Sequence, residues 1–468
     1  MFRFSLNYLS IFLLIISCLS FFNIIYSYYF DLYISINSYF YTFLISSVFG
    51  FIFFFKKQKF LKITIYNKIF AVILGYIVLP LIIAIPYGIN LNNVSLLDCY
   101  FESISGFTFT GFTVFDNIKH LDESLIIWRS TSQWIGGLYF LFSIILLIDI
   151  FDNSLKNSLT NFISFNTTEA FKQTLKILIL YISLTVFIFL ILKLINLRTF
   201  DSLNLSLSVI SSGGFLPTNA IDFILNNDLK KFVFSILMLS SYFSLFLGYN
   251  LIFSKNRNIN FFSEDIYLLI YLIFLIIVFF VFLNFNYDFI SIFFSLVSSI
   301  SNIGISLNNV PNNLYFIFLI LVIIGGSFFS TSSGIRFLKI FALIKFSINE
   351  LLSHTKPKHI YINKMTFSDT IIDQSDLYKY FLSIIVFILS LFLVSSLLTI
   401  SGINFENSFK LAILTLMNTV NSSMYNLGSI DFFGMNFFSK STLILFMIIG
   451  RVELLTILII CKKFLFKN

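Results

Sequence analysis

The sequence predicts an all-α polytopic membrane protein with about ten transmembrane helices, and three observations predict it. Of 468 residues, 58% are hydrophobic and only 11% charged, against about 25% charged in an ordinary soluble domain. Long apolar runs such as Tyr8–Phe30 and Leu268–Leu283 suit a hydrocarbon core that takes ~20 apolar residues to cross. Between spans, four shorter semi-apolar stretches recur, each opened by an acid and closed by small or polar residues.

Ten segments can span: residues 8–30, 37–55, 68–88, 125–150, 173–195, 230–253, 266–284, 314–345, 377–400 and 437–461. The first lacks a small-residue cleavage site and another apolar span follows it, so it reads as a retained helix rather than a signal peptide. The loop "KKQKFLKITIYNK" after the second span carries five lysines, which places it in the cytoplasm. Alternation then puts Lys255 and Arg257, the basic stretch 336–379 and the tail lysines Lys462, Lys463 and Lys467 on the same side. Both termini are expected to be cytoplasmic.

The net charge of +8 suggests nucleic acid in a soluble chain, but here the positive-inside rule accounts for it. Phe, Ile, Leu, Asn and Lys dominate the composition, partly as AT-rich coding bias, so a Phe-rich stripe carries little functional weight. Cys18, Cys99 and Cys461 lack CxxC spacing and imply neither a disulfide framework nor a metal site. His354 and His359, in "HTKPKH", read as part of a solvated loop.

The four recurring stretches are "DCYFESISGFTFTGF", "DSLNLSLSVISSGGF", "DFISIFFSLVSSISNIGIS" and "ENSFKLAILTLMNTVNSS", opened by Asp98, Asp201, Asp288 and Glu406. They return at intervals of about 90–120 residues, the mark of an internal repeat. A helix of about a dozen residues is ~20 Å long, short of the ~30 Å core, so each must enter and turn back. An acid at the start suits the positive end of the helix dipole and leaves the negative end inside the membrane. Irregular backbone at that depth survives where protein buries it or where it lines a watery path. One such cluster alone reads as a tight turn; four in register read as the walls of a cation pore.

At these residues the chain resembles the Trk/Ktr/HKT superfamily of potassium transporters. "SGFTFTGFTVFDNIKHLDESLIIWRSTSQWIGGLYF" (Ser105–Phe140) is similar to the first filter and following helix, with "QWIGG" a specific piece. "GGSFFSTSSGIRFLKI" (Gly325–Ile340) resembles the broken helix of the third unit, and "GRVELLT" (Gly450–Thr456) the final helix. The resemblance runs from about residue 68 to the end, and the first two spans look like the additional pair of the Trk branch. It implies four tandem membrane–pore-loop–membrane units around a central ion path. The division would be a two-helix extension (1–66) and pore units at 67–152, 153–258, 259–350 and 351–468.

Carried over by position, the filter would comprise Thr108-Phe109-Thr110-Gly111, Ser211-Ser212-Gly213-Gly214, Ser301-Asn302-Ile303-Gly304 and Asn418-Thr419-Val420-Asn421. The fourth departs from the pattern, since the family has glycine where Asn421 is expected to stand, which weakens strict selectivity for K+ over Na+. Coordination would come from backbone carbonyls, with hydroxyls either contributing oxygens or bonding neighbouring backbone.

In the eighth span, Gly325, Gly326, Ser327, Ser330, Thr331, Ser332, Ser333 and Gly334 weaken a continuous helix. They fit a close helix crossing or, by resemblance, an intramembrane gating loop. Arg451, by resemblance, would face the path; otherwise it pairs with Glu453 or snorkels. Glu102 would concentrate cations at the mouth or solvate the pore helix.

The resemblance implies potassium (or Na+) uptake across the cytoplasmic membrane, with no organic cofactor, by a homodimer bound to a cytosolic nucleotide-binding RCK-type regulatory subunit. The chain has no glycine-rich nucleotide fingerprint of its own, and the basic stretch 345–379 is either a docking surface or a plain positive-inside loop. A secondary transporter with broken helices would need inverted repeats. A membrane enzyme would need clustered His, Asp, Glu or Arg near the membrane surface, and neither pattern is read here.

Overall fold

A computed structural model describes residues 2–55, 64–91, 94–151, 167–245, 262–282, 288–308, 310, 312–354, 374–427 and 430–452. Among them the chain is helical, with one isolated bridge between Ile324 and Ile335 and no strand. Helices suit lipid because they satisfy every backbone polar group within the segment.

Among the described residues, seven helices are long and apolar enough to cross a membrane. They lie within α1 (Phe2–Tyr29), α2 (Tyr33–Phe55), α3 with α4 (Ile65–Ile83, Ile85–Asn90), α6 (Glu123–Phe151), α7 (Thr167–Leu194), α10 (Phe262–Phe282) and α14 (Gln374–Ile400). In α6, 89% of the most hydropathic stretch is buried, against 28% in α7, α10 and α14, so α6 is central and the other three are peripheral. Their outward residues, such as Phe187, Phe274 and Leu389, are exposed and apolar, the surface that lipid would cover.

Three expected spans differ in form. The sixth appears as α9 (Asp228–Tyr242) and turns off at Phe243; residues beyond 245 lie outside the described part. The carbonyls of Ser241 and Tyr242 accept from the N–H groups of Ser332 and Ser327, so a neighbouring loop satisfies this helix end. The eighth is broken, as its glycines and hydroxyls predict, into α12 (Tyr315–Ile323) and α13 (Phe337–Ser353). The tenth is described as α16, Phe437–Val452. Lys255, Arg257, Glu453, residues 355–373 and the tail lysines fall outside the described residues.

The four recurring stretches form α5 (Leu96–Phe107), α8 (Thr199–Ile210), α11 (Phe289–Ile300) and α15 (Phe405–Leu416), each of 12 residues. At ~18 Å they stop well short of the ~30 Å core. At the start of α5, the Ser95 hydroxyl accepts from the Asp98 N–H at 3.2 Å and donates to the Asp98 carboxylate at 2.7 Å, an N-cap closed on itself. The C-terminal halves of all four helices are buried, save the half-buried Leu207.

Candidate functional site

All four short helices end alike. Thr108, Ser211, Ser301 and Met417 cap them with ψ near zero. The next residue takes a left-handed conformation: Phe109 (φ 66°), Ser212 (52°), Asn302 (58°) and Asn418 (45°). Its N–H bonds the carbonyl three residues back, in Gly106, Val209, Ser299 and Thr415 respectively. Such C′ residues in the left-handed region terminate helices, but glycine normally fills them. A bulky residue there costs about 1–2 kcal/mol, so the surrounding packing must impose it.

This shared ending fixes the register. From helix start to the counterpart of the first glycine is 96 to 111, 199 to 214, 289 to 304 and 405 to 420, fifteen residues each time. The fourth counterpart of Gly111, Gly214 and Gly304 is therefore Val420. The expected window Asn418–Asn421 is displaced by one: Met417–Val420 is the equivalent, and Asn421 lies one residue beyond. The acid is the wrong ruler, because Asp98 and Asp201 stand third in their helices, Glu406 second, and Asp288 is the N-cap.

The four loops close into a ring. First to second, the Asn219 amide donates to Asn117 Oδ1 (3.0 Å), and a Cβ on Gly106 would meet the Phe215 ring at 3.1 Å. Second to third, a Cβ on Gly214 would lie 2.5 Å from the Ile303 carbonyl oxygen, and the Asn308 N–H donates to Asp222 (3.0 Å). Third to fourth, Asn302 Nδ2 donates to Thr419 Oγ1 (3.3 Å) and the Ser306 and Ser423 hydroxyls meet at 2.8 Å. Fourth to first, Asn418 Nδ2 donates to Thr110 Oγ1 (3.0 Å), Phe112 stacks on Phe432, and Lys440 pairs with Asp98. The negative ends of four helix dipoles thus surround one axis, an arrangement that favours a cation.

The hydroxyls expected there mostly hold the helix ends. Thr108, Ser211 and Ser301 donate to carbonyls four residues back, in Ile104, Leu207 and Val297. Two serines that sequence reasoning passed over tie the returning segment. Ser105 Oγ donates to the Phe112 carbonyl and Ser298 Oγ to that of Ile305, both at 2.6 Å. The signal was present, since both stand six residues before a filter glycine.

The "QWIGG" run in α6 braces the ring. The Phe215 N–H donates to Gln133 Oε1 (3.3 Å), and Trp134 Nε1 donates to Thr185 (3.0 Å). A Cβ on Gly136 would collide with the Phe107 carbonyl, and one on Gly137 with the Tyr181 hydroxyl, so both glycines serve close approach. Glu102 is not solvated. It is fully buried, 2.8 Å from Arg129 Nε, and accepts from the Val114 N–H (3.0 Å) and the Thr113 hydroxyl (3.2 Å). A carboxylate at that depth needs such partners, and Arg129 lies over Phe215 at 4.1 Å.

On the side of the ring toward which the pore helices point lies the segment between α12 and α13. Gly325 donates to the Ile335 carbonyl, and Gly334 (φ 79°) packs on Gly325 so closely that neither admits a side chain. Between these pinched ends residues 326–333 loop out. Thr331 O accepts from Ser212 Oγ (2.9 Å) and from Arg451 Nη2 (2.8 Å). Arg451 also bonds Ser333 Oγ and stacks on Phe140 (3.5 Å) and Phe109 (4.1 Å). Arg336 Nη1 reaches the carbonyls of Ser327 and Ser332, and Glu264 accepts from the Phe328 N–H (3.0 Å). Arg336 lies within the Gly325–Ile340 stretch that stands out in the sequence, whereas Glu264 carries no sequence signal beyond being a charge in apolar surroundings.

No family model matches the chain. The chain is 26% identical to an uncharacterized cation transporter of Methanocaldococcus jannaschii over 90% of its length and 87% of the relative's. It is 26% identical to the Trk system potassium uptake protein TrkG of Escherichia coli, over 85% and 84% of the two chains. To TrkH of Halomonas elongata it is 25% identical, over 78% and 79%. The crystal structure of the potassium transporter TrkH from Vibrio parahaemolyticus superposes with a TM-score of 0.85 at 21% identity, covering 98% of each chain, which establishes the fold. The chain is thus similar over nearly its full length to several Trk potassium uptake proteins and shares the TrkH fold throughout.

Proposed function

We propose that this chain carries monovalent cations, potassium foremost, across the cytoplasmic membrane through the ring of four loops. The observation that carries the reading is the shared ending of four half-length helices on one axis. Replacing an ion's water shell takes oxygens pre-placed at low reorganisation cost, and over-determined loop backbones supply that. The names of the relatives support potassium as the ion. Less selective Na+/K+ passage by the same path is the second reading, favoured by Val420 where the other loops carry glycine.

In this reading each pore helix enters from the outer face, and the boundaries 66/67, 152/153, 258/259 and 350/351 separate an N-terminal pair from four pore units. Residues 325–334, held by Arg451, form the gate. The protein acts as a homodimer under a cytosolic nucleotide-binding subunit, and performs no bond-making chemistry. The test is rescue of a potassium-uptake-deficient cell at limiting potassium. Growth with the wild-type chain, lost on Gly304→Val with membrane insertion intact, is the expected result. Failure of the inserted wild-type chain to rescue overturns the potassium reading.

A further inference from the structure

Three of the four equivalent ring positions are glycine and one is Val420. Its Cγ2 methyl would collide with a Cβ built on Gly111 and equally with one built on Gly214. Loops one and four are neighbours in the ring, but loops two and four are not. A methyl that reaches both glycines therefore extends across the space the loops enclose. A Cβ on Gly304 would meet the Val420 backbone instead, 2.7 Å from its carbonyl oxygen, as expected of an adjacent loop.

The backbone explains why valine is tolerated there and not at Gly111 or Gly304. Gly111 (φ 66°) and Gly304 (φ 77°) are left-handed, whereas Gly214 and Val420 are not. A β-branched residue is a severe misfit in the left-handed region, so loops one and three require glycine while loop four does not. Valine is also stiff about χ1. Its isopropyl group carries no oxygen to replace a water ligand, and apolar constrictions bar ions by excluding water.

We infer that Val420 is a steric plug of the ion path, closing the glycine ring in this conformation so that a cation passes only when its side chain turns aside. The inference rests on the proposed transport function and adds to it a residue that limits throughput. Forcing a side chain off its preferred rotamer, weighed as a barrier, corresponds to roughly a tenfold change in rate.

The test is K+-driven 86Rb+ uptake into phosphatidylethanolamine/phosphatidylglycerol vesicles holding the full chain, for wild type, Val420→Gly and Val420→Ala. Uptake should rise about tenfold in Val420→Gly and less in Val420→Ala. Val420→Cys gives a second measurement that keeps the fold's β-carbon: Ag+ should stop its uptake while wild type, with its native cysteines, continues. Equal uptake by wild type and Val420→Gly, or indifference of Val420→Cys to Ag+, overturns the plug and leaves the ion path standing. No uptake by any monodisperse variant overturns the transport reading, and the plug with it.

Discussion

The first and fourth loops leave their helices by the same turn, with Phe109 and Asn418 both left-handed, and diverge two residues later. Gly111 remains left-handed and bare, while Val420 returns to ordinary backbone angles and projects a side chain against it. The loops thus share a scaffold fixed by helix ends and differ in what that scaffold presents. Glycine is demanded by backbone angle in one loop and is optional in the other, so a filter position can change in one repeat without disturbing the ring.

The largest effect expected from this comparison is at Gly111. Gly111→Val combines a left-handed φ with overlap on Val420, and uptake should fall by roughly a hundredfold or more, read as flux per inserted protein. Gly304→Val should behave alike. If either transports normally, the two loops are not distinguished by backbone demand.

Next comes the brace of the first loop. Arg129→Ala leaves the buried Glu102 carboxylate unpaired, a loss of about 3–5 kcal/mol, visible as a lower unfolding midpoint in detergent. Glu102→Leu with Arg129→Met should recover most of it, and no recovery would mean that the pair specifies the loop beyond charge balance. Arg451→Ala removes the bonds to Ser333 and Thr331. If that segment is the gate, uptake should rise by about tenfold, the worth of a charged hydrogen bond; unchanged or lower uptake would assign Arg451 to structure alone.

The smallest effect separates the two registers of the fourth loop. Asn421→Gly should alter uptake and the Na+/K+ ratio by less than about twofold, the scale of an ordinary surface change, because residue 421 lies past the ring. A strong shift would restore the register that spacing from the acid suggests.

Much of this was legible in the sequence. Short helices bounded by glycine and hydroxyl clusters in a chain otherwise this apolar violate the propensity expected of spans, and the broken eighth span and Arg451 stand out in the same way. The register of the fourth loop was not legible, because no glycine marks it and Asn, tolerant of left-handed angles, occurs at both 418 and 421. The Glu102–Arg129 pair joins residues on different helices, where no period links them. The sixth helix ends at Tyr242 because a loop about 90 residues further on accepts its role as cap, which local pattern cannot report.

The most direct test of the central claim is K+ flux through purified full-length protein in vesicles, comparing wild type with Gly111→Val, Gly214→Val and Gly304→Val made one at a time. Potassium flux above that of empty vesicles for wild type, lost in each variant while all stay monodisperse, is the predicted result. Flux that survives all three substitutions would place the ion's route outside the ring.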